Sequence, residues 1–124
     1  MSGEKGMGRL YENAVFLSLR RNLRPDQEID HWKDRDGYEV DFVIRRGFNV
    51  ENIIQVSVGA EIKEREFRAG LKAAKEFKKN EIILIGDKEG EEHREGVTFK
   101  FIPLLRWLLP VPPGPSHLNA PIRS

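Results

Sequence analysis

Tyr38-Glu39-Val40-Asp41-Phe42-Val43-Ile44 and, beyond a short turn, Ile53-Ile54-Gln55-Val56-Ser57 read as two adjacent strands. Both are rich in β-branched and aromatic residues and carry polar side chains at alternate positions. With a period of two, Tyr38, Val40, Phe42 and Ile44 share one face of the first strand, and Glu39, Asp41 and Val43 share the other. On the second strand Ile54, Val56 and Val58 lie opposite Ile53, Gln55 and Ser57. Asp41, Gln55 and Ser57 therefore converge on one patch of sheet. A carboxylate among apolar neighbours in mid-strand costs stability unless it is paired, so Asp41 calls for a structural partner, a metal or a substrate.

Outward from this pair, Gln27 to Lys33 forms a further strand, joined to the first through Asp34-Arg35-Asp36-Gly37, because Asp-Gly marks a tight turn. Gly47 to Asn49 is the next turn, and the second strand of the pair spans Asn52 to Val58. Upstream, Met1 to Gly6 is a flexible lead into a helix from Met7 to Leu23, which Arg24-Pro25-Asp26 stops. Leu10, Ala14 and Leu17 make one apolar stripe on it. Phe16, Leu19 and Leu23 make a second, which begins with Glu12 and puts that carboxylate at a core-facing position. Glu12 is then either a first-turn acid favoured by the helix dipole or a group lying over the same patch as Asp41.

Downstream, Gly59-Ala60 leads into a helix over Glu61 to Lys79, whose buried side carries Ile62, Phe67, Leu71, Ala73, Ala74 and Phe77 around Gly70. Arg65, Arg68, Lys72, Lys75 and Lys79 recur at helical spacing on the opposite side, a basic stripe that is either a solvated face or a phosphate-binding one. Glu81 to Ile85 is almost wholly apolar, as in a strand buried on both faces, and the order strand, helix, strand makes a parallel crossover. Asp87 to Gly96 reads as a charged loop with His93 in solvent. Val97 to Ile102 is the last strand, and Leu104 to Leu109 a short helix opened by Pro103 and anchored in the core by Trp107. Pro110 to Ser124 is a Pro-rich tail expected to be irregular or disordered. The expected architecture is α/β: a mixed sheet of four to five strands flanked by two main helices, in the order αβββαβ plus a final strand and short helix. It forms a single domain over residues 1–109 with its core in 8–109.

Composition narrows the function classes. The chain has 124 residues, enough for one core, and no Cys, which excludes a disulfide framework and a thiolate metal site. No apolar run approaches the roughly 20 residues of a membrane span, and the N-terminus lacks the apolar core of a signal peptide, so a soluble, cytoplasmic protein is expected. Charged residues make up 33%, yet the net charge is only +1. Any attraction for nucleic acid must come from how charge is distributed rather than from its total.

The element order, with Asp on one strand and a polar-x-polar pair on the next, resembles the restriction-endonuclease-like fold of the PD-(D/E)xK nuclease superfamily. More closely, Gly8-Arg9-Leu10-Tyr11-Glu12-Asn13-Ala14-Val15-Phe16, Trp32 to Asp36, Gly37 to Val43, Ile54 to Ser57 and Pro103 to Leu109 resemble the uncharacterised domain found C-terminal to the ATPase module of many prokaryotic AAA-type ATPases. The similarity spans residues 8 to 109. It implies that Asp41 matches the family's metal-binding Asp, that Gln55 stands where the nuclease Glu would be and Ser57 where the Lys would be, and that Glu12 resembles the first-helix Glu of resolvase-like members. These four would form the catalytic set, with Mg²⁺ on Asp41, Gln55 and Glu12, held weakly or not at all because Gln55 contributes no charge. Loss of the fixed cation would slow cleavage by roughly 10²-fold or more. No Gly-x-x-x-x-Gly-Lys-Ser/Thr occurs, so the ATPase would be supplied elsewhere on the same or a separate chain. The resemblance thus implies a nucleic-acid-binding module with a degenerate active site beside an AAA-type ATPase, touching DNA phosphates through Arg65, Arg68, Lys72, Lys75 and Lys79. An active Mg²⁺-dependent DNA endonuclease is one alternative. The other is a non-catalytic interaction domain that self-associates or docks a partner through a sheet edge or the Trp107 helix.

Overall fold

The computed structural model describes residues 2–109; the tail expected over 110–124 lies outside them. The elements run α1 (Ser2–Asn22), β1 (Gln27–Lys33), β2 (Glu39–Arg46), β3 (Asn49–Ser57), α2 (Glu64–Phe77), β4 (Glu81–Gly86), β5 (Gly90–Arg94), β6 (Val97–Pro103) and α3 (Leu104–Leu108). The strands form one mixed sheet in the order β1-β2-β3-β4-β6-β5. β1, β2 and β3 are an antiparallel meander, β3, β4 and β6 run parallel, and β5 turns back antiparallel to β6.

Helices cover both faces. α2 lays Phe67, Ala73 and Ala74 on Val43, Ile53, Ile82, Leu84 and Phe99. On the opposite face α1 and α3 lay Val15, Leu19 and Trp107 on Ile44, Ile54, Ile83, Ile85 and Ile102. Successive residues of β4 thus enter opposite layers, which is why that strand is apolar without alternation. Trp107 is buried, as its place in the sequence suggested. No helix among the described residues is long and apolar enough to cross a membrane.

The sheet has six strands, not four to five. The additional one is β5, within the segment read as a charged loop. Gly-Glu-Glu-His-Arg is an edge strand with no buried residue, so its pairing to β6 defines it and no apolar alternation announces it. His93 lies on this strand and hydrogen-bonds to Thr98 Oγ1 at 3.0 Å. α1 runs from Ser2 rather than from Met7 as expected; the glycines there weaken a helix without breaking it, and no proline intervenes. β3 begins at Asn49 rather than Asn52, because Gly47 with φ 62° lets a two-residue turn bring Arg46 directly opposite Asn49. α2 is shorter than the expected 61–79. Lys63 is extended, and Lys78 adopts a left-handed φ of 56° while the Lys79 N–H returns to the Ala74 carbonyl at 2.8 Å.

Candidate functional site

β2 does not keep the simple alternation its sequence suggests. Asp30 lies opposite Val43 and Trp32 opposite Val40, so two steps on β1 match three on β2 and the extra residue falls at Asp41-Phe42. This bulge reverses the faces. Val40 joins the α2 layer, whereas Phe42 and Ile44 join the α1 layer, so Tyr38, Val40, Phe42 and Ile44 do not share one face as expected. The β2–β3 ladder reaches Phe42 and Ile54. Beyond that pair Asp41 stands in for a backbone carbonyl: its Oδ2 accepts the Val56 N–H at 2.7 Å.

Gln55 and Ser57 face α2 and are each only 5% exposed. Both are held by one residue that the strand pattern did not reveal, Glu66. Ser57 Oγ donates to Glu66 Oε1 at 2.8 Å, the Lys63 N–H donates to the same oxygen at 3.2 Å, and Gln55 Nε2 donates to the Glu66 carbonyl at 3.2 Å. The Glu66 contact with Lys63 is half of a capping box, legible in sequence as an acid at the third position of a helix, although no Ser or Thr precedes it to complete the signature. Gln55 Oε1 is buried and has no hydrogen-bond partner among the described residues. It lies under α2, 2.9 Å from where a Cβ on Gly70 would stand. Glu66→Ala is expected to lower stability by about 1–2 kcal/mol, because Ser57 Oγ loses its acceptor and α2 loses its first-turn link. Urea denaturation of Glu66→Ala beside Ser57→Ala measures this, and the two changes should be less than additive because they remove the same hydrogen bond.

Glu12 and Glu66, on helices of opposite layers, both act on the charge of Asp41. Burial pushes the Asp41 carboxyl up to about 6, the Val56 N–H pulls it down, Glu12 pushes it up, His31 pulls it down and Glu66 pushes it up. Glu12 does this from an exposed position, not the core-facing one expected from its stripe. Nearby, the Tyr11 hydroxyl donates to Asp87 Oδ1 at 2.7 Å and the Gly59 N–H donates to Asp87 Oδ2 at 2.6 Å, tying α1 to the ends of β3 and β4. The shared hydrogen bond raises the Tyr11 pKa and lowers that of Asp87. The three residues named as Mg²⁺ donors do not form one open set. Asp41 has one oxygen on a backbone N–H, Gln55 Oε1 is closed under α2, and no group of three or more Asp, Glu or His among the described residues is gathered as for a metal.

The cations of α2 and of the turn that closes it divide into two groups. Arg65 donates to the Gly37 carbonyl at 3.0 Å and lies 4.4 Å from the centre of the Tyr38 ring. Lys72 lies 5.2 Å from the same ring and 4.0 Å from Asp36 Oδ2. These two brace the β1–β2 turn. Arg68, Lys75 and Lys79 have no carboxylate partner among the described residues. Together with Lys72 and Lys78 they line two adjoining depressions of about 270 and 310 Å³ between α2 and the β5–β6 turn. The acids there are Glu64 and Glu95, and Glu64 is engaged by Arg94 at 2.9 Å.

A family model described as Domain of unknown function (DUF4143) matches residues 7–107. The uncharacterized protein MJ1544 of Methanocaldococcus jannaschii is 36% identical over 118 residues, covering 88% of this chain and 26% of that protein. A chain in the refined half-complex from a tetradecameric assembly of Thermococcus gammatolerans McrB AAA+ hexamers with bound McrC shares the fold. Its TM-score is 0.54 at 15% identity, over 78% of this chain and 28% of that one. The chain thus spans only about a quarter of the length of each of these relatives.

Proposed function

The chain belongs to the DUF4143 family, and on that premise we propose that it is a nucleic-acid-binding module of restriction-endonuclease-like fold that works beside an AAA-type ATPase and does not itself cut. The observation that carries this reading is the outer face of α2 and the turn that closes it, where Arg68 and Lys75, then Lys79, stand without carboxylate partners along a groove lined by five cations and two acids. A row of unpaired cations along a helix and its closing turn matches successive phosphates and does not depend on the net charge. Partnership with an ATPase draws on the fold shared with a chain of an AAA+ assembly. The absence of cutting draws on Gln55 and Ser57, which are buried and hydrogen-bonded to Glu66 instead of open to a phosphate.

Binding of a fluorescent DNA duplex over a salt series tests the reading. Replacing Arg68, Lys75 and Lys79 by Gln keeps helix propensity nearly constant and should weaken binding and reduce the salt slope by about two to three. An unchanged slope would return the stripe to the role of a solvated face. The alternative of a Mg²⁺-dependent DNA endonuclease draws on Asp41, whose carboxyl is pushed up by burial and by the charges of Glu12 and Glu66. Nicking of supercoiled plasmid in Mg²⁺, abolished by Asp41→Asn, would favour it over the non-cutting module.

A further inference from the structure

α1 and α3 pack side by side on one face of the sheet, with Val15, Leu19 and Trp107 filling their inner sides. Their outer sides are not polar. Leu10 is 63% exposed, Leu17 57% and Leu105 75%, and Met7 and Leu108 are exposed beside them. Leu10 and Leu17 are two turns apart and so lie on one line of α1. Single surface leucines are ordinary, but several on two neighbouring helices make a patch of the kind that marks a docking surface. The outer face of α2 is charged, and the edge strands β1 and β5 carry acids and bases. Apart from Phe48 in the β2–β3 turn, the exposed large apolar side chains among the described residues all lie on, or directly after, α1 and α3.

The charge around this patch indicates what covers it. Arg9 and Arg21 have no carboxylate partner among the described residues, and Arg20 rests 5.8 Å from the centre of the Phe16 ring. Arg106 is neutralised by Glu89 at 2.6 Å. Glu12 is exposed on the Asp41 side of α1 and Glu89 is spent on Arg106, so beside Leu10 and Leu17 the surplus charge is cationic, and a second copy placed over it by a twofold axis would set like charges against each other. We propose that this face docks an amphipathic helix of a partner protein, with leucines along the contact and carboxylates on its flanks. Leu10, Leu17 and Leu105 take the leucines, helix against helix, and Arg9, Arg20 and Arg21 take the carboxylates.

The probe is a labelled synthetic helix with leucines at every third and fourth position and Glu on both flanks, titrated by anisotropy with the full chain. Binding should saturate, and it should weaken at least tenfold for Leu10→Glu combined with Leu17→Glu. Arg20→Gln with Arg21→Gln should weaken it severalfold and flatten its salt dependence. Leu105→Ser serves as a second apolar variant, and circular dichroism verifies that these exposed substitutions leave the fold intact. A control peptide with Lys on its flanks should bind at least tenfold more weakly. Equal binding of the two peptides, or affinity unmoved by the leucine variants, overturns the proposal. So does a dimer by light scattering that Leu10→Glu dissolves, which assigns the face to a second copy. Co-sedimentation with anionic phospholipid vesicles in preference to the peptide assigns it to a membrane surface. Peptide binding by a chain ended after Leu109 but not by the full chain assigns it to residues 110–124. The leucine variants should leave duplex binding through α2 unchanged, so either proposal can fail without the other.

Discussion

Gly86→Ala is expected to lower stability by about 3 kcal/mol or more, or to prevent folding altogether. Gly86 ends β4 and pairs with Ser57 in the parallel β3–β4 ladder. A Cβ there would fall on the Ser57 carbonyl oxygen. That oxygen is backbone, and it has little room to retreat: Ser57 is held by Glu66, and Gly59, two residues on, is held by Asp87. Gly70→Ala makes the informative contrast. Its Cβ would meet the Phe99 ring at 2.7 Å and Gln55 Oε1 at 2.9 Å, both of them side-chain atoms. Side-chain atoms can turn aside where a backbone carbonyl cannot, although Phe99 is fully buried, and alanine gains about 1 kcal/mol of helix propensity over glycine. Gly70→Ala should therefore cost about 1–3 kcal/mol, less than Gly86→Ala. Guanidinium titration of the two variants measures the difference, and equal stabilities for Gly86→Ala and the native chain would show that the two strands part more easily than their packing implies.

Asp41→Asn is expected to make the protein more stable at neutral pH, the opposite of the usual outcome when a half-buried, hydrogen-bonding carboxylate is removed. Burial, followed among the raising influences by Glu12 and Glu66, pushes this carboxyl up to about 6, whereas in the unfolded chain it titrates near 4. A folded value above the unfolded one means that the fold disfavours the ionised form. The group's contribution to stability is fully present below pH 4 and is lost as pH rises through 6. Two pH units correspond to at most about 3 kcal/mol. Asn keeps an oxygen for the Val56 N–H and carries no charge, so the variant should gain about 1–3 kcal/mol at pH 7.5 and lose the rise in stability that the native chain shows between pH 7 and 4. Thermal melts across that range measure both. A native profile that falls on acidification through this window would show that Asp41 is better solvated or better paired than its surroundings indicate. The same melts test the cation: if Mg²⁺ binds Asp41, millimolar Mg²⁺ should raise the native Tm at pH 7.5 and leave that of Asp41→Asn unmoved.

A carboxylate that the fold disfavours at neutral pH, next to two others, is a feature that stability alone does not select. Its neighbours Gln55 and Ser57 are shielded by Glu66, so the patch as it stands is closed by internal hydrogen bonds. The cations of α2 are open by comparison, and for that reason they carry the functional reading.

The sequence alone determined most of the architecture, because the signals involved are local. Alternation over Tyr38 to Ile44 and Ile53 to Ser57, the unbroken apolar run at Ile82 to Ile85, the Asp-Gly turn and the helical spacing of Phe67, Ala73 and Ala74 each reflect one element's own periodicity. Together they located α1, α2, five of the six strands and the adjacency of Asp41 to the Gln55 strand. Four things were decided only in three dimensions. The bulge at Asp41 depends on how β1 pairs with β2, and it moved Phe42 to the face opposite Val40. β5 exists because β6 offers it an edge, and its charged residues carry no burial signal. Glu66 closes the Gln55 and Ser57 patch because α2 crosses back over β3, a contact between residues that no short-range pattern joins. The stripe through Leu10 and Leu17 was legible as apolar, but periodicity states only that one side of a helix differs from the other. That this stripe faces outward follows from Val15 and Leu19 having taken the sheet, and a helix can lay only one side on a sheet.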